Sequence, residues 1–379
     1  MKVVQLSHYA LPHVGGIELY VHRVARDLIA AGDSCEVISS AASAGAAGQG
    51  RIDGVPMTWL PSPRLLPRNP ALLGLRRALE RIRPDVVHVH SIWFLPSVQA
   101  CLWKSGLRYR VVNSVHGVWP DQAGLAVGAF VRGFKPVAQR VLDASDRVLV
   151  YNQLERDKLH RHFRVAAERV REAPMGFDAL APAPALVETA RREHGRYLLF
   201  TGRIIADKNP AVLVQAFARL SAGHPDLRLL FAGPVEPGLR DQLLAGAPPG
   251  RAVFLGSLDP VADAARLSAL YAAAELSVCI GSWEGMPTRI LESLAQGTPV
   301  AAFAAGGVAL VVRDGENGYL LRTLEPRELA TAIDAHLRLS PEARAALSQR
   351  ARASAQPYLW PASFARIRAA LAETLTAAR

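Results

Sequence analysis

The residues of this chain best suited to chemistry are two carboxylates, Glu284 and Glu292, in the segment S-W-E-G-M-P-T-R-I-L-E-S-L-A-Q-G-T-P-V that runs from residue 282 to 300. Gly285 and Pro287 turn the chain, and residues 288–296 then have helical composition up to Gly297, a favoured helix stop. A strand is expected just before the turn. The helix N-terminus therefore lies at the C-terminal end of a parallel strand, where oriented amides and the helix dipole favour phosphate. At helical spacing the two acids stand roughly 12 Å apart, comparable to the reach from a donor sugar to its nucleotide ribose. Two carboxylates so placed can accept hydrogen bonds from hydroxyls at both ends of a nucleotide sugar, with the diphosphate between them. Alone, Glu292 is an ordinary exposed helix residue and Glu284 an ordinary turn carboxylate. The pair followed by G-T-P-V is the specific signal.

A second constellation is T-G-R-I-I-A-D-K-N-P, residues 201–210, which puts Arg203 and Lys208 on the loop after another expected strand. Cations held there can neutralise a departing diphosphate, the group on which negative charge develops. By itself the pattern is weak, since paired surface cations are usually solvated. His116 stands at a strand end and is followed by Gly117, and the reading favoured for it is positioning of a sugar rather than proton abstraction. His8, His88 and His90 read as satisfied structural histidines. Gly15 and Gly16 make a turn signal that is ordinary alone. No Asp-x-Asp occurs in the chain, so the expectation is no metal site and no cofactor, with the cations and the helix N-terminus supplying the electrostatics.

The elements that must hold these groups are legible as short β-branched runs alternating with stretches of helical period, the pattern of parallel sheets crossed by helices. Strands are expected at 2–7, 35–40, 86–90, 111–115 and 147–151, and again at 197–202, 227–233, 253–256, 276–280 and 299–304, with a helix at 18–31. Two doubly wound α/β domains follow, as the 379-residue length suggests, since single cores stop growing near about 300 residues. Residues 177–188 read as a linker, 40–50 as a mobile Ala/Gly-rich loop, and 361–378 as a final amphipathic helix carrying Phe364, Ile367, Leu371 and Leu375.

Half the residues are apolar and a fifth are charged, which excludes disorder. No stretch reaches the ~20 apolar residues of a membrane span, and the start lacks the apolar core of a secretory signal, so a cytoplasmic protein is expected. The three cysteines are scattered and read as buried thiols. Net charge is +11, and residues 1–185 hold 23 Lys+Arg against 15 Asp+Glu, or +8. That field favours anionic partners, while no basic and aromatic nucleic-acid module is visible.

The motifs together resemble the family 4 retaining glycosyltransferases. L-P-H-V-G-G-I-E resembles that family's first glycine-rich loop, R-P-D-V-V-H-V-H-S the strand before its cleft, and N-S-V-H-G its histidine loop, so the likeness covers nearly the whole chain. The resemblance implies a GT-B fold of two facing Rossmann-like domains with the active site in the interdomain cleft. Residues 1–180 would bind the acceptor and 181–360 the nucleotide sugar, with a helix at 361–379 packing back on the first domain. It further implies a retaining, metal-independent hexosyltransferase that moves a hexose-type sugar from a UDP- or GDP-sugar to a glycan or lipid-linked acceptor in surface polysaccharide or glycoconjugate synthesis.

By the same resemblance Gly15 and Gly16 lie against the donor phosphates and His116 near the sugar. Gly202, Arg203 and Lys208 take the diphosphate. Glu284, with Gly285, Met286, Pro287 and Thr288, meets the sugar and phosphates, and Glu292 the ribose. Asn209 stands where the family often has glycine, and Gly281-Ser282-Trp283 replaces a frequent Pro-Ser. The alternatives are a nucleotide-sugar epimerase of the same architecture and a non-catalytic nucleotide-binding protein. One further stretch, residues 64–83 with six arginines and interleaved leucines, has two readings: a helix lying on the anionic inner face of the cell membrane, or, as is common in the family it resembles, a core-packed helix with its leucines facing the sheet and its arginines solvated.

Overall fold

Each β-branched run becomes a strand and each amphipathic stretch a helix in the computed structural model, which describes residues 1–13, 15–63, 69–118, 125–259, 262–282 and 288–376. The chain divides into two compact units, Met1–Pro174 with Ser363–Arg379, and Met175–Ala362. The first holds β1 (Lys2–Leu6), β2 (Ser34–Ser40), β3 (Gly48–Ile52), β4 (Val55–Leu60), β5 (Val86–His90), β6 (Arg110–Ser114), β7 (Arg147–Val150) and β8 (Val170–Glu172). They form one sheet in the order β3-β4-β2-β1-β5-β6-β7-β8, parallel except for the β3–β4 hairpin. The second holds β9 (Arg196–Thr201), β10 (Leu227–Ala232), β11 (Ala252–Gly256), β12 (Leu276–Cys279), β13 (Val300–Phe303) and β14 (Gly318–Leu321). Its order is β11-β10-β9-β12-β13-β14, all parallel.

Both orders reverse direction once, between β1 and β5 and between β9 and β12. At such a switch point the connections from adjacent strands leave toward opposite faces and open a crevice at the carboxyl ends. The period of two along each strand supplies both faces with core. On β9, Leu198 and Phe200 pack with Leu213, Phe217 and Leu220 of the helix Pro210–Leu220. Tyr197 and Leu199 pack on the other side with Leu270 and Tyr271 of the helix Ala264–Ala273.

Several sequence expectations need correction. The loop expected at 40–50 is ordered secondary structure: Ala41–Ser43 form a 3₁₀ turn capped by Ser40 Oγ, and Gly48 begins β3. The linker expected at 177–188 contains a helix from Pro184 to His194, with proline at its first turn where its missing N–H costs nothing. Phe177 is tied by its amide to Tyr358 O and by its carbonyl to Trp360 N.

The final helix, Trp360–Thr376, buries Ile367 and Leu371, but Leu375 is exposed. Within the first unit it is held by ion pairs from Arg147 and Arg171 to Glu373 and from Arg368 to Asp33. The basic stretch follows the second of its two readings. Its helix, Leu75–Ile82, sends Leu75, Leu79 and Ile82 into the core with Val4, Leu6, Val87 and Val89, so its apolar side is not available to lipid. Arg76, Arg77 and Arg81 are exposed. Arg64 and Arg68 lie outside the described residues.

Candidate active site

In the second unit the two expected phosphate elements follow β9 and β12, the strands that flank the switch point. After β9 the chain turns at Gly202 with φ 103°, and Gly202 N bonds Ala232 O at 2.8 Å. A side chain at Gly202 would overlap the Arg289 guanidinium, and one at Gly233 the Gly202 carbonyl, so both glycines permit close approach. Arg203 is exposed and Lys208 half-buried on this loop. Asn209 then adopts a left-handed φ of 53°, a conformation asparagine tolerates better than most residues, which explains why it can stand where glycine is frequent. Its side-chain amide donates to Ile280 O at 2.7 Å and to Ser282 Oγ at 3.1 Å, and Ser282 N bonds Asp207 O at 3.1 Å. The cationic loop is thereby stitched to the chain leaving β12.

That chain leads to the helix Thr288–Ala295. Gly202, Arg203, Thr288 and Glu292 line one cavity of about 440 Å³, together with Thr201, Gly233, Tyr271 and Arg289. Lys208 lines a smaller adjoining cavity that shares Thr201, Tyr271 and Arg289. Glu284, Gly285, Met286 and Pro287 lie outside the described residues. Within the cavity the Tyr271 hydroxyl donates to Glu292 Oε2 at 3.3 Å and lies 2.8 Å from Thr201 Oγ1. Burial holds the Glu292 carboxyl above the usual glutamate range, against the pull of Tyr271 and Arg289. Such a group is held ready to accept hydrogen bonds from ligand hydroxyls that restore its solvation.

Sequence reasoning missed Tyr271 and Arg289. Arg289 carried a signal, because a cation in the first turn of a helix opposes the dipole and so asks for an anion nearby. Tyr271 carried none, since nothing in a helical pattern says which neighbour a buried residue meets.

In the first unit Gly15 caps the helix Gly16–Ala30 in extended conformation, and its carbonyl accepts from Leu19 N at 3.0 Å. Open space surrounds the Gly16 position. His116 follows β6 with φ 49°, and Gly117 with φ 108°. Its Nε2 lies 2.8 Å from His90 Nδ1, its Nδ1 contacts the Tyr151 hydroxyl, and Tyr20 of the first helix meets its ring edge-on at 5.2 Å. His90 Nε2 in turn lies 2.8 Å from Gln5 Oε1. His88 Nε2 bonds Ser114 Oγ at 2.8 Å. Burial depresses all these imidazoles, His88 and His116 to about 3 and His90 well below its ordinary value. His8 is lowered to about 4 by burial and by His13. All four are neutral near pH 7.

Among the described residues no cluster of three or more His, Cys, Asp or Glu side chains is placed to hold a metal ion, and no helix is long and apolar enough to cross a membrane. Comparison with known proteins agrees with this architecture. Residues 186–354 match the family described as Glycosyl transferases group 1, and residues 14–179 match Glycosyltransferase Family 4. A D-inositol 3-phosphate glycosyltransferase of Thermobispora bispora is 33% identical over 316 residues, 77% of this chain and 71% of that protein. Among solved structures, Anabaena HepE in complex with UDP superposes with a TM-score of 0.74 at 18% identity, over 98% of this chain and 100% of the other. A Rickettsia africae glycosyltransferase gives 0.76 at 17% identity, covering both chains fully.

Proposed function

The chain belongs to glycosyltransferase family 4, with the GT-B fold, and we propose that it is a retaining, metal-independent enzyme moving a hexose-type sugar from a UDP- or GDP-sugar to a glycan or lipid-linked acceptor. The observation that carries this reading is the shared cavity of Gly202, Arg203, Thr288, Arg289 and Glu292 at the switch point of the second sheet. Arg203, Lys208 and Arg289 offer positive charge to a diphosphate, and Glu292 a carboxylate to ribose hydroxyls. Glu284 is assigned to the donor sugar, and Gly15 and Gly16 to close backbone approach by the phosphates. HepE, solved with UDP, supports a nucleotide diphosphate as the leaving group.

In the reaction we favour, the acceptor hydroxyl attacks the anomeric carbon on the face that the diphosphate leaves. The carbon–oxygen bond to phosphate breaks, and the departing phosphate oxygen takes the hydroxyl proton. The place of action is the cytoplasm. Attachment to the inner face of a membrane would act through exposed arginines such as Arg76, Arg77 and Arg81, without an apolar face.

The name of the Thermobispora relative and the +8 charge of residues 1–185 favour a second reading of the acceptor as a phosphorylated polyol. Incubation with a panel of nucleotide sugars, each paired with inositol 3-phosphate, inositol or a lipid-linked glycan, tests both. Release of nucleotide diphosphate coupled to a glycosylated product is expected. An epimerised donor, or binding without turnover, would overturn the transferase reading.

A further inference from the structure

The hydrogen bonds around His116 have a direction that can be read from one end. The Gln5 side-chain oxygen can only accept, so His90 Nε2, 2.8 Å away, carries the proton. A neutral imidazole has one N–H, so His90 Nδ1 accepts, and its partner at 2.8 Å, His116 Nε2, is protonated. His116 Nδ1 then accepts, and the Tyr151 hydroxyl is its donor. Both ring nitrogens of His116 are therefore committed to the protein. The ring has neither a lone pair nor an N–H left for a substrate, which is the opposite of what a catalytic base needs. It serves as a strut for the turn that carries it.

That turn is demanding. His116 and Gly117 are consecutive residues at positive φ, 49° and 108°, and a histidine in that region has to be held there by its surroundings. Tyr151 follows β7 directly, its amide donates to Glu155 Oε2 at 2.8 Å, and Glu155 also accepts from the Gly117 amide. Trp93 Nε1 donates to Gly117 O at 3.3 Å. The Tyr151 backbone and the turn are thus fixed to the same carboxylate. The titratable groups around the ring are Tyr20 from the first helix, His90 and His88 from β5, Tyr151, Glu155 and His8.

We propose that Tyr151 is a positioning residue for sugar transfer: by donating to His116 Nδ1 it orders the Gln5–His90–His116–Tyr151 chain and holds the His116–Gly117 turn at the carboxyl end of β6. This rests on the transferase reading above. His116 is thereby a positioning residue as well, acting through the turn rather than through a ring nitrogen.

The test uses the full chain and its Tyr151→Phe variant. In the wild type, ¹⁵N-histidine NMR is expected to show His116 protonated on Nε2 and bare on Nδ1, without titration between about pH 5.5 and 8. Tyr151→Phe is expected to lower kcat by about three- to tenfold, the range for one lost neutral hydrogen bond, with donor KM little changed. It should also let the His116 signal titrate nearer the ordinary histidine range. A proton on His116 Nδ1 in the wild type would mean that the chain runs the other way and would overturn the proposal. So would an unaltered kcat in a folded Tyr151→Phe variant. A wild-type chain that releases no nucleotide diphosphate from any donor instead overturns the transferase reading, and the role in transfer with it, whichever tautomer the spectrum shows.

Discussion

The two sheets present opposite electrostatic designs at the carboxyl ends of their central strands. Beyond β9 and β12 the second unit displays Arg203, Lys208 and Arg289 around a partly buried carboxylate, on loops whose glycines let backbone and guanidinium approach closely. On β5 and beyond β6 the first unit buries neutral imidazoles, of which His90 and His116 are bonded at both ring nitrogens, to Gln5, to each other and to the Tyr151 phenol. The second unit offers a ligand charged groups beside a cavity, whereas His90 and His116 have spent their hydrogen-bonding capacity inside the protein. Charge type alone does not mark a working group.

Removing a cation or carboxylate from the second unit should have the largest effect on turnover. Lys208→Ala and Glu284→Ala are each expected to lower turnover at least about tenfold in a folded protein, because a hydrogen bond to a charged group is worth about 1.5 to 3 kcal/mol. Wild-type rates in both variants would erase the contrast between the two regions.

Acid should act mainly on the first unit. His8, His88, His90 and His116 have folded pKa values below their ordinary ones, so their stabilisation is complete above about pH 6.5 and is lost as pH falls through that value toward about 3. The second unit has His336, lowered to about 4, and the milder His194. Raised carboxyls oppose this trend once in each unit, Glu155 and Glu292. Hydrogen exchange at pH 7 and pH 5 should therefore show protection falling first in residues 1–174. Earlier loss in 175–362 would contradict the comparison.

A smaller effect is expected from Glu292→Gln. Replacing a charged acceptor by a neutral one costs about 1 kcal/mol, so donor KM should rise about fivefold with kcat less affected. The folded Glu292 pKa is raised, so its contribution to stability is present below the unfolded glutamate value and lost as pH rises through the folded one. The variant escapes that loss and should melt higher at pH 8. A lower melting temperature together with an unchanged KM would remove Glu292 from the donor site. The smallest expected effect is none, full activity in excess EDTA. Loss restored specifically by magnesium or manganese would show that the cations do not suffice.

Much of this arrangement was readable from residues because strands buried on both faces are written as runs such as V-V-H-V-H and L-L-F-T, which leave little choice of element. The elements that escaped lack that pattern. Residues 48–52, G-Q-G-R-I, are almost wholly exposed and become a strand only because the neighbouring β4 offers a register, from Gly48 opposite Trp59 to Ile52 opposite Val55. β8 has three residues and β14 four, too short for a period to show. At the site, each loop was legible because its chemistry is local in sequence. Tyr271, which joins Thr201 to Glu292, and Tyr151, which meets His116 across 35 positions, are brought in by strand order, which no local pattern contains. The leucines of 75–82 left two readings open for the same reason: an amphipathic helix has an apolar side whether lipid or a sheet covers it.

The final helix makes the first unit discontinuous in sequence. The first unit begins with residue 1, yet Ile367 and Leu371 are fully buried in it, and Arg147, Arg171 and Asp33 find charged partners at Glu373 and Arg368. The second unit is one continuous stretch, Met175–Ala362, lying in sequence between the two pieces of the first. The first unit can therefore finish folding only when segments far apart in sequence meet, whereas the second can close on itself. Removing residues 363–376 would leave every residue of the second unit in place and strip the first of the helix that closes it.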